Sequence, residues 1–215
     1  MAGTTTTAVL LAAGAGTRLG RGPKALLPFH GRPLIEHQIG VLRDGGCDSV
    51  LAVLGAGSTD VLAAARLQDA VAVLNPNWHE GMGSSYRCGV AAALDRSPGA
   101  VLVALVDQPG LTSAVVARLL AAAAEGRITA AGYRDGVTGK LRRGHPVLFD
   151  APLAARSLAP LAGGGGTHGR PGNGGADAGA RAFLAAHQEL VDVIDCSDLA
   201  DGRDVDTEAD LVLLD

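Results

Sequence analysis

The stretch AVLLAAGAGTRLGRGPK, residues 8–24, begins as an apolar run and changes at Gly14 into a segment with four glycines and three cations. The apolar part, residues 8–12, is continuous rather than alternating, which is typical of a parallel strand covered on both faces. A small-residue turn directly after such a strand lets a ligand approach the backbone closely, and its amides can bind an anion. The stretch therefore predicts an α/β fold whose first strand leads into an anion-binding loop.

Further short aliphatic runs repeat this pattern, and helix-like segments separate them. The predicted strands after the first are Ser49–Leu54, Ala70–Leu74, Ala100–Val106, Ile128–Tyr133, Pro146–Phe149 and Leu190–Ile194. The predicted helices are Leu34–Arg43, Thr59–Leu67, Ser84–Leu94, Ser113–Glu125 and Ala178–His187. This alternation predicts an α/β sandwich with a mostly parallel sheet. We expect the loops after Ala12, Leu74 and Val106 to lie side by side at the carboxyl edge, where such sheets bind ligands.

Length and composition limit the classes of protein to consider. The 215 residues, of which 47% are apolar, can bury one sizeable core, so we expect a single domain over residues 1–215. A net charge of -4 gives no general attraction for nucleic acid. The three cysteines are widely separated and form no CxxC pair, which argues against a disulfide scaffold. The first apolar run is too short to span a bilayer, so we expect a cytoplasmic protein without a membrane partner.

Two familiar nucleotide motifs fail to fit the glycine-rich loop. The spacing of Gly14, Gly16 and Gly20 is GxGxxxG, one residue longer than the dinucleotide fingerprint. A dehydrogenase should also present an acid at the end of the second strand, but the first acid there is Asp60, inside the next predicted helix. A P-loop is excluded because no Ser or Thr follows Lys24.

Two cations on the same loop suggest a different use. Arg18 and Lys24 can clamp a triphosphate whose base lies against the AAG turn, and Pro23 stiffens the chain beside Lys24. The alternative is that both are ordinary solvated cations.

Asp107 is the strongest candidate for a metal ligand. It closes the apolar run VLVALVD, residues 101–107, at the sheet edge where ligands bind. A divalent cation held by one or two carboxylates, with phosphates supplying other ligands, would neutralise charge during phosphoryl transfer. Asp206 is the second candidate, although Asp204 lies two residues away and could serve instead. A strand-closing Asp can also be a helix cap or turn former, and Thr207 could cap a final helix.

Six segments, in order along the chain, carry a family resemblance. They are residues 10–24 against LAAGxxxRxGxxK, 75–90 against NxxWxxGMxxSxxxG, 105–112 against DQPxxT, 144–149 against GxPxLF, 176–181 against GDxGAR and 204–211 against DIDTPEDL. Together they resemble the molybdenum cofactor cytidylyltransferases of the MobA-like NTP transferase family. The resemblance implies a Rossmann-like three-layer α/β/α sandwich with a mostly parallel mixed sheet, of the nucleotide-diphospho-sugar transferase type.

The same resemblance implies roles for individual residues. It places the nucleotide on Ala12, Ala13, Gly14, Gly16, Arg18, Lys24, Gly81 and Ser85, with Arg18, Lys24 and Asp107 as catalytic residues, Asp107 and Asp206 as Mg²⁺ ligands, and His145, Asp177 and Arg181 at the acceptor. From the residues alone, Ser84 could instead cap a helix, and Trp78, Arg142 and Arg143 could serve packing or solvation as well as a ligand. The family's Gly before Asp177 is Ala176 here, and its Pro in DTPEDL is Glu208.

The expected reaction is the Mg²⁺-dependent transfer of CMP from CTP onto the phosphate of molybdopterin or Mo-molybdopterin, with release of pyrophosphate. A molybdenum enzyme that receives the cofactor is a further partner that this reaction allows. The alternatives are GTP as donor, another phosphorylated acceptor, an NAD(P)-dependent oxidoreductase that uses the same loop, or a carrier that only holds a pterin. The glycine-rich insertion at 163–176 is either a tolerated surface segment or a lid.

Overall fold

The computed structural model describes residues 5–159 and 178–215. The strands are β1 (Thr6–Ala12), β2 (Pro28–Phe29), β3 (Arg32–Pro33), β4 (Ser49–Leu54), β5 (Val71–Leu74), β6 (Ala100–Leu105), β7 (Ile128–Arg134), β8 (Leu141–Asp150) and β9 (Val191–Asp195). The α-helices are α1 (Leu34–Asp44), α2 (Ser58–Ala64), α3 (Met82–Leu94), α4 (Ser113–Ala121), α5 (Ala151–Ser157) and α6 (Ala178–Ala186). All predicted strands and helices are present, and the β2–β3 hairpin, helix α5 and the first half of β8 were not predicted.

The main sheet is mixed and mostly parallel. Its seven strands are ordered β5-β4-β1-β6-β8-β7-β9. Strand β1 pairs in parallel with β4 and β6, β4 with β5, and β7 with β9. Strand β8 runs antiparallel to both of its neighbours, β6 and β7. The predicted sheet class is therefore confirmed.

Strand β1 is buried on both faces, and its side chains alternate between two core layers. Leu10 joins one layer with side chains from α1 and α4, and Val9 joins the other with side chains from α3, α5 and α6. Complete burial of a residue such as Leu10 contributes about 1.5–3 kcal/mol to folding. Helices thus cover both faces of the sheet, as predicted for a three-layer sandwich.

A third, smaller apolar cluster joins the glycine-rich loop to the C-terminal segment. Leu19 and Leu27 of the loop pack with Phe29 and Leu34 around Val205, which is fully buried. Val205 precedes Asp206, and Leu27 lies three residues after Lys24. This packing therefore brings the two ends of the chain together at the carboxyl edge of the sheet.

The loops at that edge differ in one respect from the prediction. The loop after β1 adjoins the loop after β6, as expected, and Val106 N–H donates to Leu11 O at 3.1 Å. Because β4 lies between β1 and β5, the loop after Leu74 does not directly follow a neighbour of β1, and it approaches the loop after Ala12 across Gly55, which lies between Trp78 and Ala13. Within the described ranges, no helix is long and apolar enough to cross a membrane.

Candidate active site

The AAG turn leaves β1 as a buried backbone and reaches the surface at Gly14. Ala12 and Ala13 are buried, whereas a Cβ on Gly14 would point into open space. Ala13 O accepts a hydrogen bond from Ala56 N–H at 3.1 Å, which fixes the turn to the loop after β4. A Cβ on Gly55 would lie 2.5 Å from Trp78 Cβ and 2.9 Å from Ala13 Cβ, so only glycine fits between them. The turn is therefore fixed at Ala13 and open to solvent at Gly14, where a ligand can approach its backbone.

Gly16 closes the loop that carries the two cations. Its carbonyl accepts hydrogen bonds from Leu19 N–H and Gly20 N–H, both at 3.1 Å. It has a φ of +62°, and a Cβ there would lie 2.2 Å from Gly22 O. Gly16 is thus required by the loop's shape, which is how the structure accounts for the glycine-rich sequence.

Lys24 lies between two carboxylates that come from distant parts of the chain. Its ammonium Nζ is 2.8 Å from Asp107 Oδ2 and also hydrogen-bonds Asp206 Oδ1. Lys24 is only 14% exposed, Asp107 21% and Asp206 45%. Burial alone would lower the pKa of Lys24, but the hydrogen bonds to both carboxylates outweigh it and raise the pKa. The lysine is therefore fully charged at neutral pH.

Arg18 is the more exposed of the two predicted clamp residues. Its guanidinium Nη1 lies 3.7 Å from Asp206 Oδ2, and its side chain is 79% exposed. A contact of this length in solvent contributes little to stability. The side chain can therefore turn toward a bound anion at small cost.

The acidic residues fit a divalent cation that arrives with phosphate ligands. Asp107 and Asp206 supply hard carboxylate oxygens, which Mg²⁺ and Mn²⁺ prefer. Among the described residues, no group of three or more His, Cys, Asp or Glu side chains forms a complete cage for a metal. Two carboxylates completed by substrate phosphates are the usual arrangement for Mg²⁺ in phosphoryl-transfer sites. Since Lys24 hydrogen-bonds one oxygen of each carboxylate, a divalent cation would compete with it for these two side chains.

Asp204 is used differently from Asp206. Its Oδ1 accepts a hydrogen bond from Gln108 Nε2 at 2.8 Å, whereas Asp206 contacts Lys24. Burial raises the pKa of Asp204, and the neighbouring Asp107 charge adds to that rise. Of the two alternatives raised by the sequence, the structure thus places Asp206 against the lysine and Asp204 against an amide.

The predicted base-recognition residues lie at the start of α3. Gly81 precedes the helix, and Ser85 is buried and accepts a hydrogen bond from Asn75 Nδ2 at 3.0 Å. Ser84 does not cap the helix. Its hydroxyl contacts Gly81 O and Asn77 O, both at 2.8 Å, because the side chain turns back over the preceding turn. Asn75 was not predicted as a site residue. Its side-chain amide donates hydrogen bonds to both Ser84 and Ser85 and so holds the start of α3 in place.

A cavity of about 450 Å³ lies against the sheet and next to the Asp107 loop, since Gln108 and Asp204 line it. Both apolar and polar side chains form its walls; its lining includes Leu11, Tyr86, Val103, Phe149, Leu184, Gln108, Arg143, His145, Arg181 and Asp204. His145 and Arg181, which were predicted to bind the acceptor, both line this cavity. Asp177 and the insertion at 163–176 lie outside the described residues. Arg142 instead pairs with Asp135 at 3.2 Å, so only Arg143 of that pair lines the cavity.

His145 is a neutral imidazole at physiological pH. Burial lowers its pKa to about 4, and the charges of Arg143 and Arg181 add to this against the opposing effect of Asp107. Its backbone carbonyl accepts a hydrogen bond from Tyr133 Oη at 2.8 Å. The cavity thus offers a ligand two cations and one uncharged ring nitrogen donor or acceptor.

Comparison with known proteins gives one family. Residues 8–190 match the model of the MobA-like NTP transferase domain. The chain is 48% identical over 202 residues to a protein of Paenarthrobacter nicotinovorans named nicotine blue oxidoreductase, covering 94% of this chain and 92% of that one. It is 34% identical to a molybdenum cofactor guanylyltransferase of Xanthomonas euvesicatoria over 54% of this chain and 53% of that one.

A solved structure agrees over nearly the whole length. Rv0371c from Mycobacterium tuberculosis superposes with a TM-score of 0.72 at 28% identity, covering 98% of this chain and 97% of that one. A second structure of Rv0371c is a complex with manganese and superposes with a TM-score of 0.67. The predicted fold class is confirmed. Because the family model matches residues 8–190, which are most of the chain, this protein belongs to the MobA-like NTP transferase family.

Proposed function

We propose that this protein, as one domain over residues 1–215, transfers CMP from CTP onto the phosphate of molybdopterin or Mo-molybdopterin in a Mg²⁺-dependent reaction. Membership of an NTP transferase family supports nucleotidyl transfer as the class of reaction. The observation that carries the proposal is the meeting of Lys24, Asp107 and Asp206 beside the open AAG turn. A triphosphate needs positively charged side chains, and a bound metal cation needs carboxylates. Lys24, Asp107 and Asp206 supply both kinds of group at one site.

The side chains divide the work according to their charge. Arg18 and Lys24 hold the triphosphate, and Lys24 leaves the carboxylates to do so. Asp107 and Asp206 would hold the divalent cation together with the phosphates. When bound, the cation neutralises charge around the α-phosphorus during in-line displacement. No side chain needs to act as a base, because the attacking phosphate of the acceptor is already ionised at neutral pH.

Two features favour a pyrimidine donor. The turn here is Ala12-Ala13-Gly14, whereas the corresponding turn of the guanylyl enzymes reads LAGG. The resemblance therefore favours a pyrimidine base. The Ala13 side chain is buried against Gly55 and Trp78, which fixes the floor of the base site. Ser85, whose hydroxyl accepts a hydrogen bond from Asn75, lies in the first turn of α3, in the segment that the resemblance assigns to reading the base edge.

The cavity beside Asp107 suits the acceptor. Its volume of about 450 Å³ lies within the range of small-molecule pockets, and its mostly apolar walls suit a flat ring system. Arg143 and Arg181 would meet an anionic phosphate, while neutral His145 can hydrogen-bond without repelling a cation bound at Asp107.

Pyrophosphate release tests this proposal. The protein is incubated with each of the four ribonucleoside triphosphates, Mg²⁺ and extracted molybdopterin. We expect pyrophosphate with CTP, in step with loss of the acceptor. Release with GTP and not with CTP would change the donor, and the absence of pyrophosphate with all four nucleotides would overturn the proposal.

A second candidate is an NAD(P)-dependent oxidoreductase acting on a planar conjugated ring. The observation that favours it is the 48% identity to a protein named nicotine blue oxidoreductase, together with the apolar cavity. Against it, β4 ends at Leu54, and the first acid beyond it is Asp60 within α2. The protein is mixed with NADH or NADPH and a planar quinonoid dye, and the nicotinamide absorbance is monitored. An oxidoreductase should cause this absorbance to fall, and a nucleotidyltransferase should not.

A further inference from the structure

Gln38 is a buried amide in a helix that otherwise presents apolar side chains to the core. It is 0% exposed, and its Nε2 donates to Gln108 O at 2.6 Å. Its Oε1 is buried and has no hydrogen-bond partner among the residues that the structure describes. A buried acceptor without a protein partner costs free energy, so an apolar residue would serve packing at least as well. The position of the one bond that Gln38 makes therefore indicates its role.

That bond fixes the loop that follows β6. Gln108 comes directly after Asp107 and is buried. Its side chain continues the connection: both hydrogens of Nε2 are used, one for Asp204 Oδ1 at 2.8 Å and one for Gly202 O at 3.2 Å. Beside them, Val205 N–H donates to Asp107 O at 2.8 Å. Helix α1, the Asp107 loop and the segment 202–206 are thus joined by consecutive hydrogen bonds.

The segment that carries Asp206 needs such a connection. Residues 201–206 have no helix or strand, so no regular ladder holds them in place. Asp204 and Asp206 approach Asp107, and like charges at close range repel. Lys24 offsets this repulsion in the structure, and a bound cation would compete with it for the same carboxylates. Gln108 makes no contact with Asp107 or Asp206 side-chain oxygens, so its bonds can persist in both states.

We infer that Gln38 and Gln108 are positioning residues that set the separation of Asp107 and Asp206 and so determine how tightly the site binds a divalent cation. The inference rests on the proposed function, because it takes these carboxylates as the cation's ligands. Hydrogen-bonding partners behind metal ligands commonly change metal affinity by about 10- to 100-fold when removed. Gln38 does not line the cavity proposed for the acceptor, so its effect must pass through Gln108 and the carboxylates, whereas Gln108 lines that cavity as well.

The test uses Mn²⁺ as the probe, with the full chain and saturating CTP, and free Mn²⁺ measured by electron paramagnetic resonance. We expect Gln108→Leu to weaken Mn²⁺ binding by about tenfold or more, and Gln38→Met by a smaller factor. The affinity for CTP without metal should stay within about twofold, because the turn, Arg18 and Lys24 are untouched. In turnover, kcat should fall while KM for CTP changes little.

Ser49→Ala is the matched control, since it removes the Thr7–Ser49 hydrogen bond of 2.9 Å at the opposite end of the sheet. It should lower thermal stability without changing Mn²⁺ affinity. If Gln108→Leu does not fold, Gln38→Met carries the same test, because its loss of an orphan oxygen costs little stability. Wild-type Mn²⁺ affinity in the folded glutamine variants would overturn the inference alone. Failure of the unmodified protein to bind Mn²⁺ with CTP would overturn the proposed function and this inference with it.

Discussion

Replacing Lys24 by methionine tests how an ammonium group and a divalent cation share the same two carboxylates. Lys24 Nζ hydrogen-bonds both Asp107 and Asp206 in a largely buried position. A hydrogen bond to a charged group contributes about 1.5–3 kcal/mol. Because Asp206 is 45% exposed, solvent weakens its bond to the lysine. We therefore take about 2 kcal/mol as the free-energy cost of displacing Lys24 from the two carboxylates.

Removing that competitor should strengthen Mn²⁺ binding in the absence of nucleotide by about 30-fold. The same substitution should weaken CTP binding, because the triphosphate loses one clamp cation. Mn²⁺ affinity is measured by electron paramagnetic resonance, and CTP affinity by calorimetry. Arg21→Met is the control, since it removes one charge from the same loop, where the Arg21 guanidinium lies 3.6 Å from the carboxylate of exposed Glu208. Equal Mn²⁺ affinity in Lys24→Met and the unmodified protein would refute the competition, and unchanged CTP affinity would refute the clamp.

Three further predictions follow from individual side chains. Asp107→Ala should abolish pyrophosphate release while retaining a cooperative thermal transition, and an active variant would contradict the assigned metal ligand. His145 has a pKa lowered to about 4 by burial, so the unfolded chain binds its proton first and stability should fall as pH drops from about 6.5 toward 4; urea denaturation of His145→Gln should show a smaller loss across that window. Gly16→Ala should lower the melting temperature and CTP affinity together, because the φ of +62° and the 2.2 Å approach to Gly22 O exclude a side chain; normal CTP binding would show that the loop's shape is dispensable.

The strands and their order of alternation with helices could be predicted from the sequence. Continuous aliphatic runs such as Ala8–Ala12 mark strands buried on both faces, and the structure buries β1 throughout. Helix bounds were less accurate, as for the helix that begins at Ser113 and ends at Ala121 rather than Glu125. The antiparallel course of β8 depends on pairing with both β6 and β7, which no local pattern reports.

The site was predictable where chemistry follows a strand end and not where it depends on distant contacts. Asp107 could be found because it closes an apolar run. The contact between Lys24 and Asp206 joins residues 182 positions apart and depends on the Val205 cluster, which has no local signal. Gln38 was also missed, since a single amide in an apolar helix face has no pattern of its own. Gln108 belongs to the DQP motif that carries the resemblance. Its hydrogen bonds to Gly202 and Asp204 are seen only in the folded structure.

A crystal structure of the protein with CTP and Mn²⁺ tests the central claim most directly. We expect anomalous density for manganese between Asp107 and Asp206, with Lys24 turned away from them and onto the triphosphate and with the base against Ala12–Gly14. An empty corner, or a nicotinamide dinucleotide bound there from a mixed soak while CTP is excluded, would contradict it.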